Sequence, residues 1–213
     1  VSDEVTSCIT LKGITAEYLL HRAYPLKKGD KVLYHAAAGA LGQILCPWAN
    51  ALGAEVIGTV GSKAKEEIAK KNGCHHVINY SEKDFVKEVE KIFGKNSLDV
   101  VYDGVGSKTF KGSIETLRIR GMMVAFGNAS GYVEKLDIKK DINAKGLFFT
   151  RPSIAHYTVK REELVESAKK VFDAVLTKKF KIEISKRYPL KNAAQAHKDL
   201  ENRLLTGPAV IIP

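Results

Sequence analysis

Cysteine and long apolar runs are scarce in this sequence. No apolar run approaches the ~20 residues that a membrane-spanning helix needs, which argues against a membrane as partner. The three cysteines, Cys8, Cys46 and Cys74, occur singly and without C-x-x-C spacing. An odd and unclustered set of cysteines argues against a zinc site and for a reducing compartment. We therefore expect no metal and a cytoplasmic location.

Arginine-rich blocks with interleaved aromatic residues are also missing, although the net charge is +10. Residues 1–60 are neutral, and the basic surplus of residues 151–213 is interspersed with glutamate. This mixture is typical of solvated helix faces rather than of a surface that binds phosphate backbones. The charge pattern therefore argues against nucleic acid as a partner.

The start of the chain, "VSDEVTSC", has neither an initiator methionine nor the basic-then-apolar order of a signal peptide. We therefore expect the chain to be a fragment of a longer protein. Its 213 residues, 45% of them hydrophobic, are still enough to bury a core as one large domain or two small ones.

Strand and helix patterns alternate along the chain. Apolar, β-branched runs at "KVLYHA", "AEVIGTV", "HHVINY", "LDVVYDGV", "MMVAFG" and "GLFFTR" are separated by segments with helical periodicity at 41–52, 63–72, 82–93 and 107–117. Strands separated by helices predict a parallel sheet with right-handed crossovers. The fold class predicted is therefore α/β, a Rossmann-type doubly wound parallel six-stranded sheet.

Further elements are expected on both sides of this unit. Two helical stretches precede the first strand, near 3–9 and 14–23. After the sixth strand come a long amphipathic helix, a strand-like "KIEISKRY", a helix at "KNAAQAHKDLENRL" and a final "PAVIIP". Glycines after three of the helices agree with these boundaries, because a glycine often ends a helix in a left-handed conformation.

The first strand is followed by a variant of the dinucleotide fingerprint G-x-G-x-x-G, written here as Ala37-Ala38-Gly39-Ala40-Leu41-Gly42. Gly39 would let the backbone approach a pyrophosphate, and Gly42 would let the next helix pack close to the sheet. The helix N-terminus would then offer unpaired N–H groups to the anion. Alanine at the first position requires that Ala37 keep a negative φ. The alternative is a plain βαβ turn with small residues for packing, but the strand, spacing and helix together favour a dinucleotide.

No acidic residue ends the second strand, where NAD-specific proteins keep one to bind the ribose 2′-hydroxyl. The segment "VIGTVGSKAK" places Val60 there and continues with Ser62, Lys63 and Lys65. These residues could merely solvate a helix start. However, cations in a first helical turn oppose the helix dipole and cost a few tenths of a kcal/mol, roughly, unless an anion is bound. The cofactor predicted is NADP(H).

Tyr80 ends the third strand and has two interpretations. In "YSEKDF", Ser81 could cap a helix, Asp84 could complete a capping box and Tyr80 could pack on Phe85. That structural role would suffice for the aromatic residue. The ends of the second and third strands are neighbours in a doubly wound sheet, so the Tyr80 hydroxyl could also reach the 2′-phosphate.

Taken together, "LYHAAAGALGQ", "VIGTVGSKAK", "VINYSEKD", "VVYDGVG", "VAFGNASG" and "FTRPS" resemble the zeta-crystallin-type quinone oxidoreductases. These are zinc-free members of the medium-chain dehydrogenase/reductase superfamily, and the resemblance covers essentially the whole chain. It implies NADPH-dependent reduction of quinones and a homodimer paired through the sheet edge. One departure is Ala40, which replaces the second glycine of the family's usual A-G-G-V-G turn.

The resemblance also implies a set of cofactor-binding residues. They are the pyrophosphate turn Gly39, Ala40, Leu41 and Gly42; the 2′-phosphate residues Gly61, Ser62, Lys65 and Tyr80; and the nicotinamide-side residues Val105, Gly106, Phe126, Gly127, Asn128 and Pro152. Arg203 matches a cofactor-contacting arginine, and Thr15 is a further cofactor-binding candidate. No residue is identified as a catalytic acid, base or nucleophile, which fits hydride or electron transfer from a cofactor.

Family members also carry an N-terminal catalytic domain that is missing here. The resemblance therefore implies three parts: a helical lead-in (1–23), an NADP(H)-binding Rossmann domain (24–155) and a C-terminal segment (156–213) that belongs partly to the missing domain. Two other functions stay open, an enoyl or alkenal reductase of the same superfamily and a module that senses NADPH without turnover.

Overall fold

A six-stranded parallel sheet forms the centre of the molecule in the computed structural model, which describes residues 1–202, 204–205 and 207–213. The strands are β1 (Lys31–His35), β2 (Glu55–Val60), β3 (His76–Asn79), β4 (Leu98–Asp103), β5 (Leu117–Ala125) and β6 (Phe148–Thr150). Their spatial order is β3-β2-β1-β4-β5-β6. The predicted fold class is confirmed, and the order reverses between β1 and β4, the place where ligands bind in such sheets.

Helices cover both faces of the sheet. They are α1 (Asp3–Tyr18), α2 (Gly42–Ala51), α3 (Lys63–Lys71), α4 (Phe85–Phe93), α5 (Phe110–Thr116), α6 (Ile154–Tyr157), α7 (Arg161–Leu176) and α8 (Ala193–Glu201). Helices α1, α2 and α7 bury apolar side chains against one face, and α4 and α5 bury theirs against the other. The strands are apolar on both sides because neither face of the sheet meets water.

The lead-in is one helix rather than the two that the sequence predicts. Helix α1 runs through Gly13 and continues into a π-helical turn, Leu19–Ala23. A Cβ atom at Gly13 would lie 2.5 Å from Cγ1 of Val171 on α7. The glycine is therefore a close-packing position inside the helix, and the prediction of a break near it was wrong.

The start of α4 also differs from the prediction. Asp84, and not Ser81, caps the helix, and its carboxylate accepts hydrogen bonds from the N–H groups of Val86 at 2.9 Å and Lys87 at 3.4 Å. Residues 80–83 instead form a turn around Asn79, whose side-chain oxygen accepts from the N–H of Ser81 at 3.1 Å. The predicted capping box was wrong because the acid closer to the helix satisfies the first free N–H groups.

The C-terminal part adds a small parallel pair of strands, β7 (Lys186–Pro189) and β8 (Ala209–Ile212). Only the end of the strand-like segment at 181–188 is therefore a strand. Helix α7 is joined to α1 by buried polar contacts: the Glu17 carboxylate accepts from the Ser167 hydroxyl at 2.7 Å and pairs with Arg22 at 2.9 Å. No helix of the described chain is both long and apolar enough to cross a membrane.

Candidate dinucleotide site

The predicted cofactor residues gather at the carboxyl ends of the parallel strands. The turn after β1, the segment after β2 and the loops after β4 and β5 all leave the sheet at this edge, because parallel strands end on the same side. β1 lies between β2 and β4. The structure therefore brings together three groups of residues that are far apart in sequence.

The turn between β1 and α2 is built on contacts that leave no room for larger side chains. A Cβ atom at Gly42 would lie 2.3 Å from the carbonyl oxygen of Ala37 and 2.6 Å from its carbonyl carbon. Ala37 is outside the positive-φ region, as its side chain requires, but Ala36 takes φ 63. A left-handed alanine costs roughly 1–2 kcal/mol. The sequence did not indicate this strain, which the surrounding structure holds in place.

Backbone N–H groups without a backbone partner occur at the same turn. In the part of the chain that the structure describes, the N–H groups of Ala40, Leu41 and Gly42 find no backbone acceptor. Leu41 stands at the N-terminus of α2, where the helix dipole adds a partial positive charge. These unpaired donors at a helix N-terminus fit the pyrophosphate of a dinucleotide.

The segment after β2 brings together the four residues predicted to contact a 2′-phosphate. The Tyr80 hydroxyl oxygen lies 2.6 Å from the position of a Cβ atom at Gly61, so this glycine makes room for the phenol. Ser62 is the N-cap of α3, yet within the described structure its side chain makes no capping bond. Lys65 is exposed in the first turn of that helix. Hydroxyl and ammonium groups are thus free to bind an anion here.

The loops after β4 and β5 pack against each other as one unit. A Cβ atom at Gly127 would lie 2.4 Å from the carbonyl oxygen of Gly104. The N–H of Ser130 donates to the carbonyl of Val105 at 2.7 Å. Gly106 takes φ 93 and faces the carbonyl of Gly131, 2.5 Å from where its Cβ would be. The predicted nicotinamide-side residues Val105, Gly106, Phe126, Gly127 and Asn128 are therefore neighbours.

Three further predicted residues belong to none of these groups. Pro152 is buried two positions after the end of β6. Thr15 lies on α1, where its hydroxyl donates to the carbonyl of Leu11 at 2.8 Å. Arg203 lies outside the described residues. Contact of these three with a cofactor stays a prediction.

The sequence interpretation missed a buried acid at this edge. Asp103, the last residue of β4, is 1% exposed, and its carboxylate accepts from the N–H groups of Val105 at 2.8 Å and Gly106 at 3.0 Å. His35, at the end of β1, is equally buried and lies near the same carboxylate. An aspartate directly before Gly-x-Gly at a buried strand end was the available signal for this arrangement.

Comparisons with known proteins agree with this geometry. Residues 40–176 match the profile of the family described as zinc-binding dehydrogenases. The chain is 47% identical over 206 residues to a 2-haloacrylate reductase of Burkholderia sp., which covers 96% of this chain and 62% of that protein. It is 43% identical over 216 residues to quinone oxidoreductase 1 of Escherichia coli K12, which covers 100% of this chain and 66% of that protein.

A solved structure gives the same picture. The crystal structure of Escherichia coli quinone oxidoreductase complexed with NADPH superimposes with a TM-score of 0.93 at 42% identity, over 100% of this chain and 66% of that one. The chain thus spans just under two thirds of these relatives. The predicted cofactor, NADP(H), agrees with the NADPH bound in that relative.

The matching family is described as zinc-binding, whereas the sequence analysis predicts no zinc site in this chain. Among the described residues, no three His, Cys, Asp or Glu side chains come together as metal ligands would. Freedom from zinc stays a prediction.

Proposed function

This chain belongs to the zinc-binding dehydrogenase family of the medium-chain dehydrogenase/reductase superfamily, and on that premise we propose that it is the NADPH-binding part of a quinone oxidoreductase. The proposal is supported by one observation above all. The end of β2 has no acid between residues 56 and 65; Ser62 and Lys65 follow it, and the Tyr80 hydroxyl lies beside Gly61. This set fits a 2′-phosphate and lacks the acid that binds the ribose 2′-hydroxyl in NAD-specific proteins.

The cofactor supplies the chemistry, as a hydride carried on the nicotinamide ring. The chain's own residues would bind and orient it: the N-terminus of α2 would hold the pyrophosphate, and the paired loops after β4 and β5 would hold the nicotinamide side. A quinone that took up this hydride and one proton from solvent would leave as the quinol. No protein acid or base is needed for the hydride step.

An enoate reductase is the second candidate, and one specific observation favours it. The 2-haloacrylate reductase of Burkholderia sp. is 47% identical to this chain, against 43% for the Escherichia coli quinone oxidoreductase. A haloacrylate carries a carbon–carbon double bond conjugated to a carboxylate, so it also accepts a hydride. The two candidate functions are separated by steady-state oxidation of NADPH with a simple quinone and with 2-chloroacrylate. The enzyme assayed is a longer protein in which the N-terminal part of the relatives precedes this chain. A higher kcat/KM for the quinone supports the first proposal, and a higher value for the enoate replaces it with the second.

Lys65→Ala is expected to weaken NADPH binding by ~1–3 kcal/mol and to leave NADH binding nearly unchanged, because only NADPH carries the phosphate that the ammonium meets. Isothermal titration with both cofactors measures the difference. Lys70→Ala is the matched control, since Lys70 lies at the far end of the same helix and pairs with Glu67. Equal losses for both cofactors would remove Lys65 from the phosphate site.

The chain is expected to form a homodimer through β6. This strand ends the sheet, and Phe148 and Phe149 on it are 59% and 38% exposed. A free edge with exposed aromatic residues invites association, and pairing two copies covers both edges. Light scattering is expected to give twice the chain mass of 23.4 kDa.

Phe148→Lys is expected to shift that dimer to monomer. Leu176→Lys, at the exposed end of α7, is the control and is expected to leave the mass unchanged. A monomeric mass for the unmodified chain at high concentration would contradict the dimer.

A further inference from the structure

Asp103 closes the loop that follows β4. Its Oδ1 atom accepts from the N–H groups of Val105 at 2.8 Å and Gly106 at 3.0 Å. The hydroxyl of Thr109 lies 2.8 and 2.9 Å from the two carboxylate oxygens. These donors come from both ends of the loop, so one buried carboxylate sets the path of residues 103–109.

The same carboxylate positions a second loop through the first. The carbonyl of Asp103 accepts from the N–H of Phe126 at 2.9 Å, and the carbonyl of Val105 accepts from the N–H of Ser130 at 2.7 Å. The glycines bring the two loops into close contact. A shift of residues 104–106 must therefore move residues 126–130 as well.

A chain of hydrogen bonds between buried side chains leads from Asp103 through Ser113 and His35 to Thr59. The hydroxyl of Ser113 lies 3.0 Å from Oδ2 of Asp103 and 2.9 Å from Nε2 of His35. Nδ1 of His35 lies 2.9 Å from the hydroxyl of Thr59 on β2. Burial lowers the pKa of His35 below its ordinary value, so the ring is neutral near pH 7.

The proton order in this chain follows from its acceptor end. The Asp103 carboxylate and the carbonyl of Thr109, which lies 2.9 Å from the Ser113 hydroxyl, only accept, so that hydroxyl donates to them and its oxygen accepts from Nε2–H of His35. Nδ1 of the ring then accepts from the Thr59 hydroxyl. Aligned hydrogen bonds of this kind polarise one another in a buried setting.

We propose that Asp103 is a positioning residue for the nicotinamide half of bound NADPH, and that His35 holds it through Ser113. The inference rests on the proposed function. Thr59 stands two residues before Gly61, so the network reaches from the strand of the 2′-phosphate site to the loops of the nicotinamide side. Asp103 touches the cofactor nowhere in this assignment; it acts through the backbone of Val105 and Gly106.

Two ligands separate this role from a general effect on the fold. NADPH contacts both halves of the site, whereas 2′,5′-ADP contacts only the half near β2. Asp103→Ala leaves two loop N–H groups without their acceptor, and it is expected to weaken NADPH about tenfold or more. Binding of 2′,5′-ADP is expected to stay within about twofold, since the segment after β2 keeps its contacts.

Asp103→Asn supplies the conservative rescue and a spectroscopic signature. The amide oxygen can still accept from Val105 and Gly106, while the amide nitrogen donates to Ser113. The Ser113 hydroxyl keeps the carbonyl of Thr109 as its acceptor at 2.9 Å, and the second lone pair of its oxygen still accepts from Nε2–H of His35. NADPH affinity is expected to recover in large part, and ¹⁵N NMR is expected to show that His35 keeps its tautomer.

Asp99→Ala is the matched control. Asp99 lies at the opposite end of β4 and accepts from the N–H of Lys31 and from Arg118. Removal of this carboxylate is expected to lower the free energy of unfolding without changing the ratio of the affinities for NADPH and 2′,5′-ADP. If Asp103→Ala does not fold, the same two ligands are compared on Ser113→Ala. This variant is expected to bind NADPH more weakly and 2′,5′-ADP with unchanged affinity.

Equal weakening of the binding of both ligands, or no weakening of either, would overturn the positioning role, as would an Asp103→Asn variant that binds NADPH no more tightly than Asp103→Ala. Failure of the unmodified chain to bind NADPH would instead reject the proposed function, and it would be seen before any variant is tested.

Discussion

This chain alone is expected to reduce a simple quinone at least ~100-fold more slowly than a longer protein in which the N-terminal part of its relatives precedes these residues. Positioning of donor and acceptor can supply ~7–11 kcal/mol of a barrier reduction. The matched relatives are longer than this chain, which spans 62% and 66% of two of them, and we expect the part beyond it to hold the acceptor against the cofactor. Loss of ~2.7 kcal/mol of positioning, about 40% of the lower bound, gives the stated factor.

The measurement is steady-state oxidation of NADPH by both proteins at saturating cofactor. Titration of each with NADPH in the same buffer is the control, because binding must be retained for the comparison to report on the acceptor. Comparable turnover by the two would show that the whole catalytic site lies within these residues, against the proposed architecture.

Gly42→Ala is expected to destabilise the fold by ~1–3 kcal/mol through overpacking and to abolish measurable NADPH binding. The added methyl group would meet the carbonyl oxygen of Ala37 at 2.3 Å. That atom belongs to the backbone of the strained turn, so the start of α2 must move away from the sheet. The N–H groups that would hold the pyrophosphate move with it.

Gly53→Ala is the control, since Gly53 lies at the other end of α2 and takes φ 86. Its strain is expected to lower the free energy of unfolding while NADPH affinity is kept. Denaturant unfolding and cofactor titration on both variants give the two quantities. Retained NADPH binding in Gly42→Ala would mean that α2 does not carry the pyrophosphate.

Local signals were enough to predict the sheet, and they are also the ground on which the cofactor residues after β1 and after β2 are predicted. Alternating apolar strands and helical segments gave the six strands, and the spacing from Ala37 to Gly42 gave the turn. The 2′-phosphate site after β2 was predicted from the sequence alone, because the missing acid and the cations that follow are visible in the sequence itself. The prediction that Tyr80 belongs to this site needed the order of the strands, because a doubly wound sheet places the ends of the second and third strands side by side.

Long-range contacts account for what the sequence did not predict. Gly13 looks like a helix break until Val171, far along the chain, is seen to fill the space beside it. Ala36 takes a left-handed conformation only because the turn around it is fixed. The link from Asp103 to His35 joins residues 68 positions apart through Ser113, and no periodicity within either segment indicates it.

Titration of this chain with NADPH and with NADH is the decisive measurement for the 2′-phosphate site. NADPH is expected to bind about tenfold or more tightly than NADH, the size expected for charge-assisted bonds to one phosphate. Equal affinities, or tighter binding of NADH, would contradict a 2′-phosphate site at Gly61, Ser62, Lys65 and Tyr80.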